Sequence, residues 1–267
     1  MDVIHAFSSR LRPTARLALD ALLPPQCLSC AELVSEPGAL CASCWAGLRF
    51  IAAPHCRICG WPFETDPHDH NSLAGEASVD APPADLICGA CLREPPSFDR
   101  ARAVLAYDDA SRGLILGFKH ADRTHAAPAF ARWMARAGAE LLITADVIAP
   151  VPLHWSRLVA RRYNQAALLA NGIAQLAGKR SVPDLLIRRR RTPSQGRLSR
   201  SERLRNVTGA FVARPSRLSD VRGRRIVLVD DVLTTGATVG ACAAALRRAG
   251  AASVDVLSLA RVIRPEP

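Results

Sequence analysis

The sequence predicts an α/β protein, with a mostly parallel sheet flanked by helices, behind a small N-terminal region held together by metal. From Phe98 onward, short apolar stretches alternate with stretches of helix length, which is typical of parallel strands covered on both faces. Before Phe98, four Cys-x-x-Cys pairs interrupt a segment that is too broken by proline and polar residues to build an apolar core.

The alternation gives four strands and four helices in the C-terminal part. The predicted strands are 101–107, 146–149, 225–229 and 253–259. The predicted helices are 111–119, 128–142, 164–177 and 236–249. Between them, Ile187 leads into a run of arginines and a polar segment that extends to about Asn206.

Composition and charge restrict the class of protein. Hydrophobic residues make up 49% of the chain, and no apolar run approaches the length of a membrane span. Residues 1–23 alternate apolar with charged positions, which favours an amphipathic helix over a signal peptide, so we expect a cytoplasmic protein. The net charge of −5 in residues 1–98 and +16 in residues 99–267 predicts an anionic partner for the C-terminal part.

The paired cysteines predict two structural zinc sites. They are Cys27, Cys30, Cys41, Cys44, Cys56, Cys59, Cys88 and Cys91. Two pairs complete one tetrahedral site, and both a sequential and an interleaved grouping fit the spacing. A redox motif or an iron–sulfur cluster also uses such pairs, but four pairs with closed coordination favour zinc. We expect His68 and His70 to be plain loop residues and Cys242 to be a small core residue.

A phosphate site is predicted at Val227-Leu-Val-Asp-Asp-Val-Leu-Thr-Thr-Gly-Ala-Thr238. An apolar strand ends at Asp230 and Asp231, and a threonine- and glycine-rich turn opens the next helix, whose free N–H groups and hydroxyls suit an anion. The lysine of a P-loop is absent from this segment, so the ligand is not a nucleoside triphosphate held in that manner. Carboxylates beside a phosphate favour a ribose diol as hydrogen-bond donor, although they could also merely cap the helix.

This segment resembles the phosphoribosyl pyrophosphate (PRPP) signature of type I phosphoribosyltransferases. The wider chain, from Cys27 to Arg261, resembles the ComF/GntX family of competence-associated, phosphoribosyltransferase-like proteins. The motifs that carry this resemblance are Pro96-Ser-Phe-Asp-Arg-Ala-Arg102, Pro150-Val-Pro-Leu-His154, Arg161-Arg-Tyr-Asn-Gln165, Thr192-Pro-Ser-Gln195 and Arg203-Leu-Arg-Asn-Val207.

The resemblance implies a type I phosphoribosyltransferase fold and a role for each matching residue. Asp230 and Asp231 would hold the ribose hydroxyls. Lys119 stands where the family places a basic residue, and a solvated surface lysine is the alternative for this position. The 5′-phosphate would bind at Thr234, Thr235, Gly236, Ala237 and Thr238. The pyrophosphate loop would be Pro150, Val151 and Pro152, next to Trp155, where the family has a different residue. A catalytic lid over the leaving group would be formed by Arg191, Gln195 and Arg197.

Three domains and two classes of function follow as expectations. The domains are an amphipathic helix at 1–26, a double zinc ribbon at 27–97 and a phosphoribosyltransferase-like domain at 98–267. The first function is a PRPP- and Mg²⁺-binding protein linked to DNA uptake or nucleotide metabolism, which as an enzyme would transfer ribose 5-phosphate to an unidentified acceptor and release pyrophosphate. The second is a non-catalytic PRPP sensor or a single-stranded-DNA-handling partner of the competence and recombination machinery.

The arginine-rich segment bears on that choice. Residues 188–225 contain thirteen arginines and two acidic residues. Pyrophosphate, nucleic-acid phosphates and water are the three candidates that could face so much positive charge. Phe211 is the one aromatic residue of the segment, so sequence-specific reading of single strands is poorly supported.

Overall fold

The computed structural model describes residues 24–63, 86–120, 123–154, 158–159, 163–190 and 200–263. The chain divides into two compact units, residues 1–48 and 49–267. The predicted amphipathic helix, apart from its last three residues, and His68 and His70 lie outside the described residues. The domain boundaries at 26 and 97 stay predictions.

The described part of the first unit is a cysteine-bearing loop followed by one short helix, α1 (Ala42–Ala46). The loop closes with hydrogen bonds from Cys27 N to Glu32 O at 2.7 Å and from Ala31 N to Cys27 O at 3.1 Å. Within residues 24–48, Cys27 and Leu28 are the buried residues. Two buried residues do not make an apolar core, so this loop depends on its cysteine cluster for a stable structure.

The second unit is built on a parallel sheet, as the sequence predicts, but the sheet has five strands where four are predicted. Its strands are β1 (Ala101–Ala106), β2 (Val147–Pro150), β3 (Arg180–Ser181), β6 (Arg225–Leu233) and β7 (Ser253–Arg261). The order across the sheet is β1-β7-β6-β2-β3, and every neighbouring pair is parallel. The carboxyl ends of all five strands therefore lie at one edge, where open α/β sheets bind ligands.

In the described part of the second unit, seven α-helices accompany these strands. They are α2 (Gly89–Arg93), α3 (Asp109–His120), α4 (Ala127–Ala137), α5 (Ala139–Thr144), α6 (Gln165–Ala177), α7 (Arg200–Val207) and α8 (Ala237–Arg248). The single helix predicted at 128–142 is wrong, because Gly138 leaves the helical conformation between α4 and α5. A Cβ atom at Gly138 would lie 2.7 Å from Cδ1 of Leu257 on β7, so this bend lies directly against the sheet.

Helices cover both faces of the sheet. Val254 and Val256 of β7 belong to the core that also contains Val239, Cys242 and Leu246 of α8. Side chains alternate between the two faces along β7, so Leu257 points to the opposite face. There it meets the bend between α4 and α5. Cys242 is fully buried in this core, as predicted.

The polar segment before Asn206 contains structure that the periodicity does not reveal. Its end forms α7, and its two flanks pair as an antiparallel hairpin of β4 (Leu186–Arg188) and β5 (Phe211–Ala213). Each strand has three residues, which is too short to display an alternating pattern, and the partners are more than twenty positions apart in sequence. The buried Phe211 anchors the hairpin in the core of the α8 face.

The second cysteine cluster lies in the same unit as the sheet. Ala101 N of β1 donates to Ile58 O at 2.6 Å, and Ile51 N donates to Val104 O at 2.8 Å. Cys56, Cys59, Cys88 and Cys91 share one core cluster with Phe98 and the α8 face. In the part of the chain that the structure describes, no helix is long and apolar enough to cross a membrane.

Candidate functional site

The end of β6 positions the two adjacent aspartates. Val227 to Val229 are buried between β2 and β7, and the strand continues through Asp230 and Asp231 to Leu233. The sequence predicts that the strand becomes loop at the aspartates, but parallel pairing with β7 extends four residues beyond Val229, so that prediction is wrong. Both side chains are partly buried at the carboxyl edge of the sheet.

A cavity of about 620 Å³ opens at this edge. It brings together eight of the predicted ligand residues, namely Lys119, Val151, Pro152, Asp230, Asp231, Thr234, Gly236 and Thr238. Pro150 is the buried last residue of β2, immediately before this wall. Thr235 and Ala237 line a neighbouring cavity instead. Arg191, Gln195, Arg197 and Trp155 lie outside the described residues.

The turn after β6 forms the start of α8. Gly236 has φ of 78°, a left-handed conformation that glycine adopts without strain, and the helix begins at Ala237. Ala237 N is 3.5 Å from the hydroxyl of Thr235. The first N–H groups of α8 and the positive end of its dipole point toward the turn, which suits an anion.

Charge in the cavity is partly compensated. Lys119 Nζ lies 3.0 Å from Asp231 Oδ2, and both side chains are largely shielded from solvent. Asp230 Oδ1 accepts a hydrogen bond from Asp231 N at 2.9 Å. Burial, reinforced by the negative charge of Asp231 and opposed by Lys119, raises the pKa of Asp230 to about 7.

The segment Tyr163-Asn-Gln165 fixes the position of Lys119. Tyr163 Oη donates to Phe118 O at 3.3 Å, and Gln165 Nε2 donates to Lys119 O at 3.0 Å. Asn164 Nδ2 donates to Val151 O at 3.1 Å, while its Oδ1 caps α6 by accepting from Ala166 N. The start of α6 thus holds the end of α3 and the turn after β2 in place around the cavity.

Several residues of the cavity wall were missed by the sequence analysis. They are Tyr107, Asp108, Asp109, Arg112, Asn164, Gln165 and Arg188. Asp108 and Asp109 follow β1 after a single residue, Tyr107, so their place near the carboxyl edge of a parallel sheet is a signal that could have found them. Arg188 is buried, with its guanidinium 5.2 Å from the Phe211 ring, but nothing in the sequence separates it from the arginines that follow.

The cysteines form two clusters with the sequential grouping. Cys27, Cys30, Cys41 and Cys44 form one, and Cys56, Cys59, Cys88 and Cys91 form the other. In each cluster the four Sγ atoms lie within 4.8 Å of one another. The Sγ atoms of Cys30 and Cys41 are 3.6 Å apart, and those of Cys59 and Cys88 are also 3.6 Å apart. Thiolates on a tetrahedral zinc ion, with Zn–S bonds of about 2.3 Å, would be separated by about 3.8 Å.

Backbone N–H groups stabilise one thiolate in each cluster. Cys27 Sγ lies 3.4 Å from Ser29 N and 3.3 Å from Cys41 N. Cys56 Sγ lies 3.5 Å from Cys59 N and 3.4 Å from Cys88 N. Burial raises the pKa of both thiols, but the combined N–H donors outweigh it and lower the pKa of Cys27 to about 6 and that of Cys56 to about 7. The donors and their spacing fit two closed Cys₄ sites for structural zinc.

Comparison with known proteins agrees with the description of both the cysteine clusters and the cavity-bearing domain. The double zinc ribbon domain matches residues 18–92, and the phosphoribosyl transferase domain matches residues 164–266. The DNA utilization protein YhgH of Escherichia coli O6:H1 is 34% identical over 230 residues, which is 82% of this chain and 97% of that protein. Competence protein F of Haemophilus influenzae is 32% identical over 187 residues, which is 65% of this chain and 78% of that protein.

Among solved structures, the allosteric regulatory enzyme of purine biosynthesis is similar with a TM-score of 0.36 and 23% identity, over 54% of this chain and 30% of that one. The two Cys₄ clusters agree with the match to the double zinc ribbon domain. The parallel sheet with its flanking helices agrees with the match to the phosphoribosyl transferase domain. The chain belongs to the ComF/GntX family of phosphoribosyltransferase-like proteins with a double zinc ribbon.

Proposed function

We propose that the cavity at the carboxyl edge of the sheet binds PRPP and that the chain is a PRPP-binding, phosphoribosyltransferase-like protein of the ComF type. The observation that carries this proposal is the convergence of three features on one cavity. Asp230 and Asp231 would accept hydrogen bonds from the ribose hydroxyls. The turn from Thr234 to Thr238 would hold the 5′-phosphate, and the turn through Val151 and Pro152 would lie along the pyrophosphate.

The charges of the cavity suit such a ligand. PRPP is strongly anionic, and two unpaired carboxylates would repel it. Lys119 neutralises Asp231, and the raised pKa of Asp230 leaves that residue largely protonated below neutral pH. Arg112 and Arg188 add positive charge to the same wall, where they offset Asp108 and Asp109.

Mg²⁺ is the proposed companion of PRPP. Asp108 and Asp109 line the cavity in addition to the β6 pair, and carboxylate oxygens are ligands that Mg²⁺ prefers. The ion, when bound, would neutralise charge on the leaving pyrophosphate. Arg191, Gln195 and Arg197 remain the proposed lid over that group.

The role in DNA use rests on the relatives. One is named a DNA utilization protein and another competence protein F, so we propose that this chain serves DNA uptake or use, with single-stranded DNA and competence or recombination proteins as partners. Part of the basic segment has other partners: Arg214 and Arg217 both contact Asp184, at 3.3 Å and 3.0 Å. Arg189 and Arg205 are exposed and are the better candidates for phosphate contacts.

Thermal unfolding with and without ligand tests the PRPP site. Mg²⁺ with PRPP should raise the melting temperature more than Mg²⁺ with adenosine triphosphate, because a ligand that binds the native state stabilises it by mass action. Asp230→Asn combined with Asp231→Asn should abolish this difference. Asp184→Asn is the matched control, because it removes a carboxylate outside the cavity. An unchanged response to PRPP in the double variant would contradict the assignment of the diol to these aspartates.

Release of pyrophosphate distinguishes an enzyme from a sensor. If the chain is a transferase, pyrophosphate should appear when PRPP, Mg²⁺ and an acceptor are all present, and the acceptor is sought in a panel of bases and amines. Binding of PRPP without pyrophosphate release across such a panel would favour the alternative, a non-catalytic PRPP-sensing or single-stranded-DNA-handling protein.

A further inference from the structure

The amino edge of the sheet, opposite the proposed PRPP site, carries a row of arginines. Arg180 begins β3 and Arg225 begins β6, and these two strands flank β2. The turn that leads into β6 reads Arg222-Gly-Arg-Arg225 and adds two more arginines. All four side chains are exposed, and we refer to Arg180, Arg222, Arg224 and Arg225 as the amino-edge cluster.

Two arginines of the amino-edge cluster are paired with aspartates. Arg225 Nη2 lies 3.0 Å from Asp146 Oδ1, and Arg180 Nη1 lies 2.7 Å from Asp220 Oδ1. Hydrogen bonds from the side chain and the backbone of Arg225 outweigh burial and lower the pKa of Asp146 to about 2, so this aspartate is ionised at neutral pH. Each aspartate offsets the charge of its own arginine.

The other two arginines keep their charge uncompensated. Among the described residues, neither Arg222 nor Arg224 forms an ion pair. Holding like charges together in one turn costs free energy through repulsion, and an anionic partner would offset that cost. Both residues are arginine, whose planar guanidinium group matches phosphate oxygens with paired hydrogen bonds.

The backbone of this turn is fixed before any partner arrives. Gly223 N donates to Gly250 O at 2.8 Å, and Ala252 N donates to Arg224 O at 2.9 Å, so the turn is tied to the loop before β7. The stem of Arg222 lies alongside Gly250, where a Cβ would be 3.4 Å from Arg222 Cγ. A surface whose backbone is already ordered loses less conformational entropy when it binds.

The composition of this edge favours duplex DNA over a single strand. Residues 145–147, 179–184, 214–225 and 247–253 lie at the edge and contain no aromatic side chain. Single strands gain much of their binding energy from bases stacked on aromatic rings, whereas duplex DNA presents about one negative charge per 1.7 Å of its axis. Contacts to the phosphate backbone alone carry no sequence information.

We propose that the amino-edge cluster binds the phosphate backbone of double-stranded DNA without regard to sequence. The inference rests on the proposed role in DNA use and extends it from single strands to the duplex. It does not rest on PRPP binding. Asp230 and Asp231 follow Arg225 on β6 by five and six positions, which places the two sites about 15–20 Å apart at a rise of about 3.3 Å per residue. DNA and PRPP should therefore bind at the same time.

Fluorescence anisotropy of the zinc-loaded full chain with a short labelled duplex tests the proposal. Arg222→Gln combined with Arg224→Gln should weaken binding about tenfold or more. The slope of log K against log salt concentration should become shallower by about 1.8, since each phosphate contact contributes about 0.9. Two duplexes of unrelated sequence should bind equally.

The matched control is Arg132→Gln combined with Arg136→Gln. It also removes two exposed arginines that pair with no carboxylate in the described chain, but these lie on α4. This variant should bind the duplex as the unchanged chain does. Undiminished binding by the Arg222 and Arg224 variant, an equal loss in the control, or no duplex binding by the unchanged chain would overturn the proposal.

Further measurements distinguish this inference from the proposed function. The rise in melting temperature with PRPP and Mg²⁺ should persist in the Arg222 and Arg224 variant, and duplex binding should persist in Asp230→Asn with Asp231→Asn. Duplex binding without any response to PRPP would contradict the proposed PRPP site and leave the amino-edge cluster supported. A response to PRPP without duplex binding would do the reverse.

A thymidine oligonucleotide separates the two forms of DNA. Binding of this single strand but not of the duplex would overturn the duplex as the partner. Duplex binding that is lost in Arg189→Gln with Arg205→Gln, and retained in the Arg222 and Arg224 variant, would overturn the amino edge as the surface.

Discussion

Asp230 and Asp231 are adjacent residues with different surroundings. Asp231 has Lys119 at 3.0 Å, whereas Asp230 has a backbone N–H donor and the carboxylate of its neighbour. Burial and that neighbouring charge raise the pKa of Asp230 to about 7. Ionised Asp230 is therefore disfavoured in the folded chain, and we expect the stability of the protein to depend on pH through this residue.

Asp230→Asn should remove that dependence. In the unfolded chain Asp230 titrates near pH 4, and in the folded chain near pH 7, so folded protein binds more protons between these values. Its contribution to stability is complete below about pH 4 and is lost as the pH rises to about 7. The melting temperature of Asp230→Asn should therefore match that of the unchanged chain at pH 4 and exceed it at pH 8, by about 2 °C or more.

The measurement is calorimetric unfolding between pH 4 and pH 8 without ligand. Asp184→Asn is the control, because Asp184 is a half-exposed residue outside the cavity. A difference between Asp230→Asn and the unchanged chain that does not grow with pH would show that Asp230 is ionised in the fold throughout.

At this scale, spacing along the chain reveals some residues and hides others. The cysteine pairs, Asp230 and the threonine turn are each local in sequence, so they could be recognised there, but the spacing leaves both groupings of the cysteine pairs open. Arg188 and Tyr107 reach the cavity from a hairpin and from the end of β1, and their place depends on which strands become neighbours. No spacing carries that information.

At the scale of elements, apolar periodicity predicts four of the five sheet strands and most helices described in the second unit, and it misses the two-residue strand β3. It fails where a tertiary contact decides the outcome. The bend at Gly138 follows from the approach of Leu257, and the three-residue strands of the hairpin gain their order from packing on α8. Such contacts join residues far apart in sequence, so a pattern within a short window does not show them.

Gly60 shows how the loop of the second cysteine cluster reaches β1. Its φ is 69°, and a Cβ there would lie 2.4 Å from Ala101 O. Gly60→Ala should therefore combine the strain of a left-handed backbone with a clash against backbone that cannot yield. We expect a loss of about 2 kcal/mol or more in the free energy of unfolding, since overpacking alone costs about 1–3 kcal/mol.

Gly178→Ala separates the two causes, because Gly178 has φ of 61° with no atom within 4 Å of a Cβ. It should lose about 1 kcal/mol, the cost of the backbone conformation alone. Urea unfolding of both variants gives the comparison. Equal losses would mean that the contact of Gly60 with β1 is not tight in solution.

For the whole molecule, the two cysteine clusters have different surroundings although their sequence motifs are alike. The first lies in the unit of residues 1–48, whose described part buries Cys27 and Leu28. The second shares the core of the unit that carries the sheet and the proposed PRPP site. Nothing in the Cys-x-x-Cys spacing predicts this difference, because it arises from which residues pack on the loops.

Replacing one cysteine of each cluster should therefore have unequal effects. Each of Cys27→Ser and Cys88→Ser should lower the zinc content from two ions per chain to one, measured by atomic absorption. Cys27→Ser should unfold the first unit but keep the rise in melting temperature with PRPP and Mg²⁺, because the larger unit retains its core. Cys88→Ser opens the core cluster beside α8, so the larger unit should lose stability and, with it, the response to PRPP. Bound iron, or loss of the PRPP response in both variants alike, would contradict two independent structural zinc sites.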